Sequence, residues 1–471
     1  MISPMNPMRP PLLMEPLGEI EIDLLLGSLA TAARPFLLES GLDVAGVGNW
    51  HLMGGYPVGE FIAGGGRWKE SLDDGEGEVE EDSGEGDPLE ALEAWWNRWS
   101  SPVPQSPAPF SGGAVGYIGY EAADHLHRLD SSPAPSGAVG EFFAGAPDIH
   151  LLLYDEVVAI DTTSGRGYFL HRDRRFQQQR RWWEAGGTVA PDDGACATPM
   201  ALSITDLEYL EAIEEVRRRI GIGSVYEVNL TRGLLLRGCP DPWTLHRRWR
   251  EVQPVPFGAL LPWTPVAVVS ASPERFLCRR GDAIETRPIK GTIPRGRDAN
   301  EDRARGEQLL RNEKERAELA MIIDLERNDL GKVCVPGSVT VTEEARLETY
   351  PSVLHTVATV EGTLRGNPSP VDLLRATFPG GSITGAPKSA AISCIRELEP
   401  WPRKVYTGSI GWISPDGDLD LNIAIRTAMV RGDRAVVSLG GAVTWDSVAR
   451  DELQELAAKG ETILQALGCL P

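Results

Sequence analysis

Hydrophobic and polar positions change rhythm near residue 200. Before it, short apolar runs alternate with Gly and Pro, which predicts an antiparallel sheet rather than βαβ units. Gly112 to Tyr120 is glycine-rich but lacks a following helix pattern and a Lys-Ser/Thr end, so its glycines are read as permitting tight strand packing and not as a phosphate loop. Ile149 to Ile160 reads as a buried strand interrupted by Asp155 and Glu156. From Arg172 the chain turns polar, and the sequence divides into an N-terminal region 17–171, a linker 172–202 and a region 203–467.

In the second region Ser203 or Thr205 caps a helix ending at Arg217-Arg218-Arg219, and strands follow at Val225 to Leu230 and Val266 to Val269. Glu301 to Leu325 has no proline and many helix formers, which predicts one long helix. Gly408 to Met429 predicts a hairpin turning at Pro415-Asp416-Gly417, with Arg426 on the polar face of the returning strand. There Arg426 suits either a fixed fork for a carboxylate or a cross-strand ion pair. Ser447 to Leu467 predicts the last helix.

Helical spacing places four acids. Glu315 and Glu318 share a face that continues into Ile322 and Leu325, and Glu452 and Glu455 open a stripe through Leu456, Ile463 and Leu467. Four converging carboxylates would need a cation, and an oxygen-only set suits Mg²⁺. The same spacing also fits two charged faces paired with Arg316, Arg450 or Lys459. Gly380 to Lys388, before a helix-like run, and Gly440-Gly441, after the strand Ala435 to Leu439, could each aim N–H groups at an anion. Lys290 reads as part of a short, stiff turn between Pro288 and Pro294. A lone loop lysine is ordinarily a solvated surface group, and only its company makes it a nucleophile.

Composition narrows the field. The 471 residues suffice for a large core, and a formal charge of -22 disfavours nucleic acid as a partner. Part of that charge lies in an acidic insertion, 70–87, read as solvated and disordered. No apolar run is long enough for a bilayer, no secretory leader pattern is seen, and six cysteines are scattered without a CxxC pair. The expectation is a cytoplasmic protein with no membrane contact, zinc or disulfide framework.

Five motifs then occur in order: Ser272-Pro273-Glu274-Arg275-Phe276, Arg287-Pro288-Ile289-Lys290-Gly291-Thr292, Asp324 to Gly331, Gly380 to Lys388, and Ala424-Ile425-Arg426-Thr427. Their order resembles the chorismate-utilising enzymes, the group of anthranilate synthase component I, aminodeoxychorismate synthase component I, and the isochorismate and salicylate synthases. The resemblance covers nearly the whole chain and is most specific over 203–467. It implies an α+β fold of stacked, mostly antiparallel β-sheets wrapped by helices, with both regions contributing to one body. Within the group, lysine in Pro-Ile-Lys-Gly-Thr marks aminodeoxychorismate synthases, where anthranilate synthases usually carry alanine. Glu227 stands where isochorismate and salicylate synthases carry a water-activating lysine and amino-transferring enzymes usually carry glutamine. That argues against water as nucleophile and leaves the role of Glu227 open.

The resemblance implies roles. Lys290 would attack C2 of chorismate as the C4 hydroxyl leaves, Glu274 would protonate the departing oxygen, and ammonia would then enter C4 and expel the lysine. His355 and Thr384 would lie near the ring, while Arg426, Tyr406 and the amides around Gly440 and Gly441 would take the enolpyruvyl carboxylate. Mg²⁺ on Glu318 and Glu455, assisted by Glu315 and Glu452, would hold the ring carboxylate. A nearby metal ion and partial burial would lower the Lys290 pKa, and Glu274 would need a raised one. No glutaminase-like segment is present, so ammonia is expected from a separate glutamine amidotransferase subunit, with free ammonium able to replace it. Pro35 to Ser40 resembles the tryptophan-binding segment of anthranilate synthases, making Leu38, Glu39 and Ser40 a possible tryptophan site; the start of a buried helix fits as well. The rival readings are anthranilate synthesis, against which Lys290 weighs, and a non-catalytic relative that binds chorismate or tryptophan. Against the latter stand Glu274, Lys290, Glu318, Arg426 and Glu455 together.

Overall fold

The structure, a computed structural model, describes residues 12–44, 47–73, 79–127, 137–172 and 181–469. Among them two twelve-stranded antiparallel sheets stack face to face. The strand Ala267–Ser272 shows how sequence enforces this, because it is buried along its whole length and its alternate residues enter different cores. Val268 joins Phe276, Leu277, Ile410 and Leu421 between the sheets. Val269 faces the other way, under the helices Ile22–Thr31, Pro242–Val252 and Ala449–Ala466, among Leu29, Trp249 and Ile463. The fold is therefore the α+β stack of sheets that the motifs imply.

Strands from both sequence regions complete each sheet. Phe36–Glu39 pairs with Phe257–Leu261 in the first sheet, and Gly113–Ile118 with Ser409–Ile413 in the second. A Cβ on Gly116 would run into the His150 carbonyl of the adjacent strand, so the glycine run does serve close strand packing. Of the linker, 173–180 lie outside the described residues, and Thr198–Leu202 is an edge strand on Glu227–Arg237.

Three expectations are corrected. The long helix is two, Ala299–Arg311 and Glu313–Gly331, because the Asn312 side chain accepts from the N–H groups of Lys314 (3.0 Å) and Glu315 (3.3 Å) and caps a new start. The acidic insertion is solvated but not disordered where it is described. Arg67–Asp73 and Val79–Glu85 pair as a hairpin with Arg67–Glu85 and Lys69–Glu81 ion pairs across it, and 74–78 lie outside the described residues. Finally, Ser409–Ile413 and Leu419–Asn422 form the predicted hairpin, but the chain then leaves that sheet, and Thr427–Arg431 belongs to the other. Arg426 thus ends a crossover, with a left-handed φ of 48°, instead of lying on a strand face.

Candidate functional site

Two of the segments that carry the chain between the sheets lie side by side. Pro273-Glu274 links Ala267–Ser272 to Arg275–Arg280, and residues 423–426 link Leu419–Asn422 to Thr427–Arg431. The two crossovers are bonded to each other. The Ile423 N–H donates to the Glu274 carbonyl (3.0 Å), the Ala271 N–H to the Arg426 carbonyl (2.9 Å), and the Ser272 hydroxyl to the Ile423 carbonyl (2.6 Å). Backbone geometry alone therefore brings the Glu274 and Arg426 segments together.

Glu274 is buried, and its Oε1 accepts from the Ser382 hydroxyl (2.6 Å) and the Ile289 N–H (3.3 Å). Burial pushes its carboxyl up to about 7 against the pull of those donors, Lys290 and Arg426, so the protonated acid is well populated near neutrality. Burial likewise lowers Arg426 to about 10, and its Nη1 has no hydrogen-bond partner among the described residues. A buried guanidinium with an open donor is costly unless an anion arrives to meet it.

Lys290 lies in the strand Ile289–Pro294 and not in a turn. Gly291, at φ 69°, lets the pairing with Val353–Thr363 slip between Lys290 and Thr292. The buried Lys290 Nζ donates to Glu227 Oε1 at 2.7 Å, across from the first sheet. Burial alone would lower the lysine pKa, but the charge and hydrogen bond of Glu227, then the charges of Glu318 and Glu274, reverse this and raise it. The expected depression is thus not what the protein's own groups produce.

The other candidates fall around this pair. His355 shares a 2.9 Å hydrogen bond with the Thr292 hydroxyl, and burial with the nearby Arg426 charge lowers it to about 3, so its ring is neutral. The buried Thr384 hydroxyl donates to the Gly380 carbonyl at 2.8 Å. The strand Arg434–Val443 runs through Gly440 and Gly441 instead of stopping before them. A Cβ on Gly440 would sit 3.2 Å from the Tyr406 hydroxyl, and one on Gly441 3.5 Å from Glu452 Oε2. The Gly381 N–H, by contrast, is taken by Glu326 at 2.9 Å, and the Lys388 ammonium by Asp329 and the Thr377 carbonyl, so these two groups are committed within the protein.

The four acids do not converge as expected. Among the described residues no three His, Cys, Asp or Glu side chains gather into a metal-holding group. Lys314 lies 3.8 Å from Glu318, and Lys459 pairs with Glu455 at 2.8 Å. Glu452 accepts from the Ser447 hydroxyl at 2.6 Å, and Glu315 lies against Gly291. Burial pushes Glu318 up to about 7, opposed by Lys290 and reinforced by Glu227, which marks a surplus of negative charge there. Mg²⁺ commonly takes one or two carboxylates and completes its shell with substrate oxygens and water, so the donor set fits that ion.

Residues 60–465 match the chorismate binding enzyme family. The chain belongs to that family. This chorismate-binding enzyme is 34% identical over 395 residues to aminodeoxychorismate synthase component 1 of Bacillus subtilis, covering 81% of this chain and 83% of that one. It is 32% identical over 478 residues to anthranilate synthase component 1 of Neisseria gonorrhoeae, covering 97% and 95%. Among solved structures it is similar to anthranilate synthase component I from Streptococcus pneumoniae, with a TM-score of 0.73, 26% identity and coverage of 90% and 93%.

Sequence reasoning missed Lys314 and Ser382 as groups of the site and met Lys459 only as a possible ion-pair partner. The lysines stand four residues from Glu318 and Glu455, a legible spacing, whereas Ser382 sits in the Gly380 to Lys388 motif, 108 residues from Glu274, with nothing in the sequence to pair the two. Leu38, Glu39 and Ser40 line a separate cavity of about 280 Å³ with Trp50, Arg275 and Trp412. Leu38 and Glu39 belong to a strand, which removes the alternative of a helix start. No helix among the described residues is long and apolar enough to cross a membrane.

Proposed function

We propose that this chorismate-binding enzyme aminates chorismate at C4 to 4-amino-4-deoxychorismate, using ammonia from a glutamine amidotransferase partner. The observation that carries the reading is a lysine buried at the Pro-Ile-Lys-Gly-Thr position, with a carboxyl raised to about 7 close enough to feel its charge. Arg426, with an open Nη1, takes a substrate carboxylate beside Tyr406, Gly440 and Gly441. Protonated Glu274 gives its proton to the C4 oxygen as the Lys290 nitrogen bonds to C2, and ammonia then bonds to C4 while the C2–lysine bond breaks. Splitting one substitution into two lowers each barrier. Neutral His355 and Thr384 border the ring. Glu318 and Glu455 would hold Mg²⁺, which when bound supplies positive charge to the ring carboxylate. The name component 1 carried by the Bacillus relative supports a second chain as ammonia source.

Incubation with chorismate, Mg²⁺ and ammonium tests the reading. Product that becomes p-aminobenzoate only when aminodeoxychorismate lyase is added supports it, and lyase-independent fluorescent anthranilate sinks it. Anthranilate synthesis is the second reading, favoured by the similarity to an anthranilate synthase over 97% of this chain. For the metal, Glu318→Gln or Glu455→Gln is expected to raise the Mg²⁺ concentration for half-maximal rate by about tenfold or more. A rate independent of any divalent ion would make the acids structural.

A further inference from the structure

We infer that Glu227 is the internal proton acceptor for Lys290, holding the lysine in place and taking its proton at the moment of attack. This rests on the C4-amination reading above. Three observations carry it. Glu227 is completely buried on the strand Glu227–Arg237, and its Oε1 receives the Lys290 Nζ–H at 2.7 Å. Among the described residues a single additional donor, Asn229 Nδ2 at 3.3 Å, reaches that same oxygen, and Oε2 has no partner. The carboxylate therefore depends on Lys290 for compensation of its charge.

In a buried ion pair so poorly supported, one proton transfer removes two desolvated charges, which offsets part of the cost of moving the proton. The same contact explains why water is a poor acceptor at neutral pH, for the field of Glu227 holds the proton on the lysine against the solvent. The charged groups facing the pair are Glu274 from the crossover, Glu318 from Glu313–Gly331, itself beside Glu315 and Lys314, and Glu455 from the last helix. Those carboxylates favour a charged lysine, and transfer to Glu227 is the route that leaves the total charge unchanged.

The atoms balance. A Nζ–H bond breaks and an Oε1–H bond forms. The freed lone pair bonds to C2, the ring π electrons shift, and the C4–O bond breaks, its oxygen leaving as water with the Glu274 proton. When ammonia bonds to C4 the electrons shift back, the C2–Nζ bond breaks, and the released amine recovers its proton from Glu227. The new C4 ammonium gives a proton to the Glu274 carboxylate, which restores the acid. No oxidant or reductant is needed.

Glu227 acts through Lys290, so the test must separate proton transfer from mere support. Rates of C4 product are measured for wild type and for Glu227→Gln from pH 6.5 to pH 9.5, with chorismate and Mg²⁺ saturating and free ammonia held constant by adjusting total ammonium. Dividing the two rates cancels the titration of Glu274. The expected result is a Gln variant about 100-fold slower at neutral pH, with an unchanged KM for chorismate. The ratio to wild type should climb about tenfold per pH unit as the lysine comes to lose its proton to water. Glu227→Asp, which keeps the carboxylate, is expected to follow the wild-type pH profile at a lower kcat. A ratio that stays flat with pH, at any level of loss, overturns the proposal, as does an Asp variant with the alkaline dependence of the Gln variant. Wild-type protein that yields anthranilate overturns the C4 reading instead, so the two failures are distinguishable in the same samples.

Discussion

Lys290→Ala is expected to lower C4 amination by about three orders of magnitude or more, because the variant loses the bond-forming atom and not merely a contact. The structure adds a complication to the simple experiment. Removing the lysine strands the buried carboxylate of Glu227, and breaking one side of a buried pair costs roughly 3 to 5 kcal/mol of stability. A dead enzyme could then be an unfolded one. The double variant Lys290→Ala with Glu227→Gln removes both charges and is expected to recover most of the lost stability while remaining inactive. Thermal melts and product yields of the two variants, side by side, separate the effects. A double variant that aminates C4 at the wild-type rate would remove Lys290 from the chemistry.

Glu274→Gln carries the second large effect, a fall in kcat of about 100-fold to 10,000-fold. Glu274 serves as an acid only when protonated, and its carboxyl titrates at about 7. The wild-type kcat/KM should therefore be full on the acid side and decline as pH rises through that value, and the Gln variant should lack this limb. Stability changes with the same proton. The folded protein binds it more tightly than the unfolded chain, so its contribution is complete below the ordinary carboxylate range and is lost as pH rises through about 7. Glu274→Gln escapes that loss, and its Tm should exceed that of wild type in alkaline buffer and match it in acid. A variant with the same alkaline decline in rate would assign the acid to another group.

Much of the architecture was legible, because the apolar run that opens Ala267–Ser272 and the stripes of the acidic helices follow directly from burial. What escaped was every feature decided by a partner distant in sequence. The alternation of Leu419, Leu421, Ile423 and Ile425 continues without interruption while the backbone passes from one sheet to the other, so Arg426 looked like a strand residue. The outer strand of the acidic hairpin, Val79–Glu85, is exposed almost throughout, so it has no apolar face to announce it and is held by cross-strand pairing. The partnership of Glu227 and Lys290 spans 63 residues and two sheets, and no period in the sequence encodes it. Asn312 was the exception, since a helix-capping residue was in plain view within a run rich in helix formers.

The mutual bonding of the two crossovers has a mechanical consequence. Glu274 and Arg426 each ride on a strap that joins one sheet to the other, and three hydrogen bonds stitch the Arg426 strap to Glu274 and to the end of the strand before it. Any sliding of one sheet over the other must pull at that seam and alter the spacing between acid and guanidinium. A misplacement of about 1 Å can cost about 100-fold in rate. Substitutions at Phe276, Ile410 or Leu421, between the sheets, thus act as a gauge, degrading turnover long before the fold itself gives way.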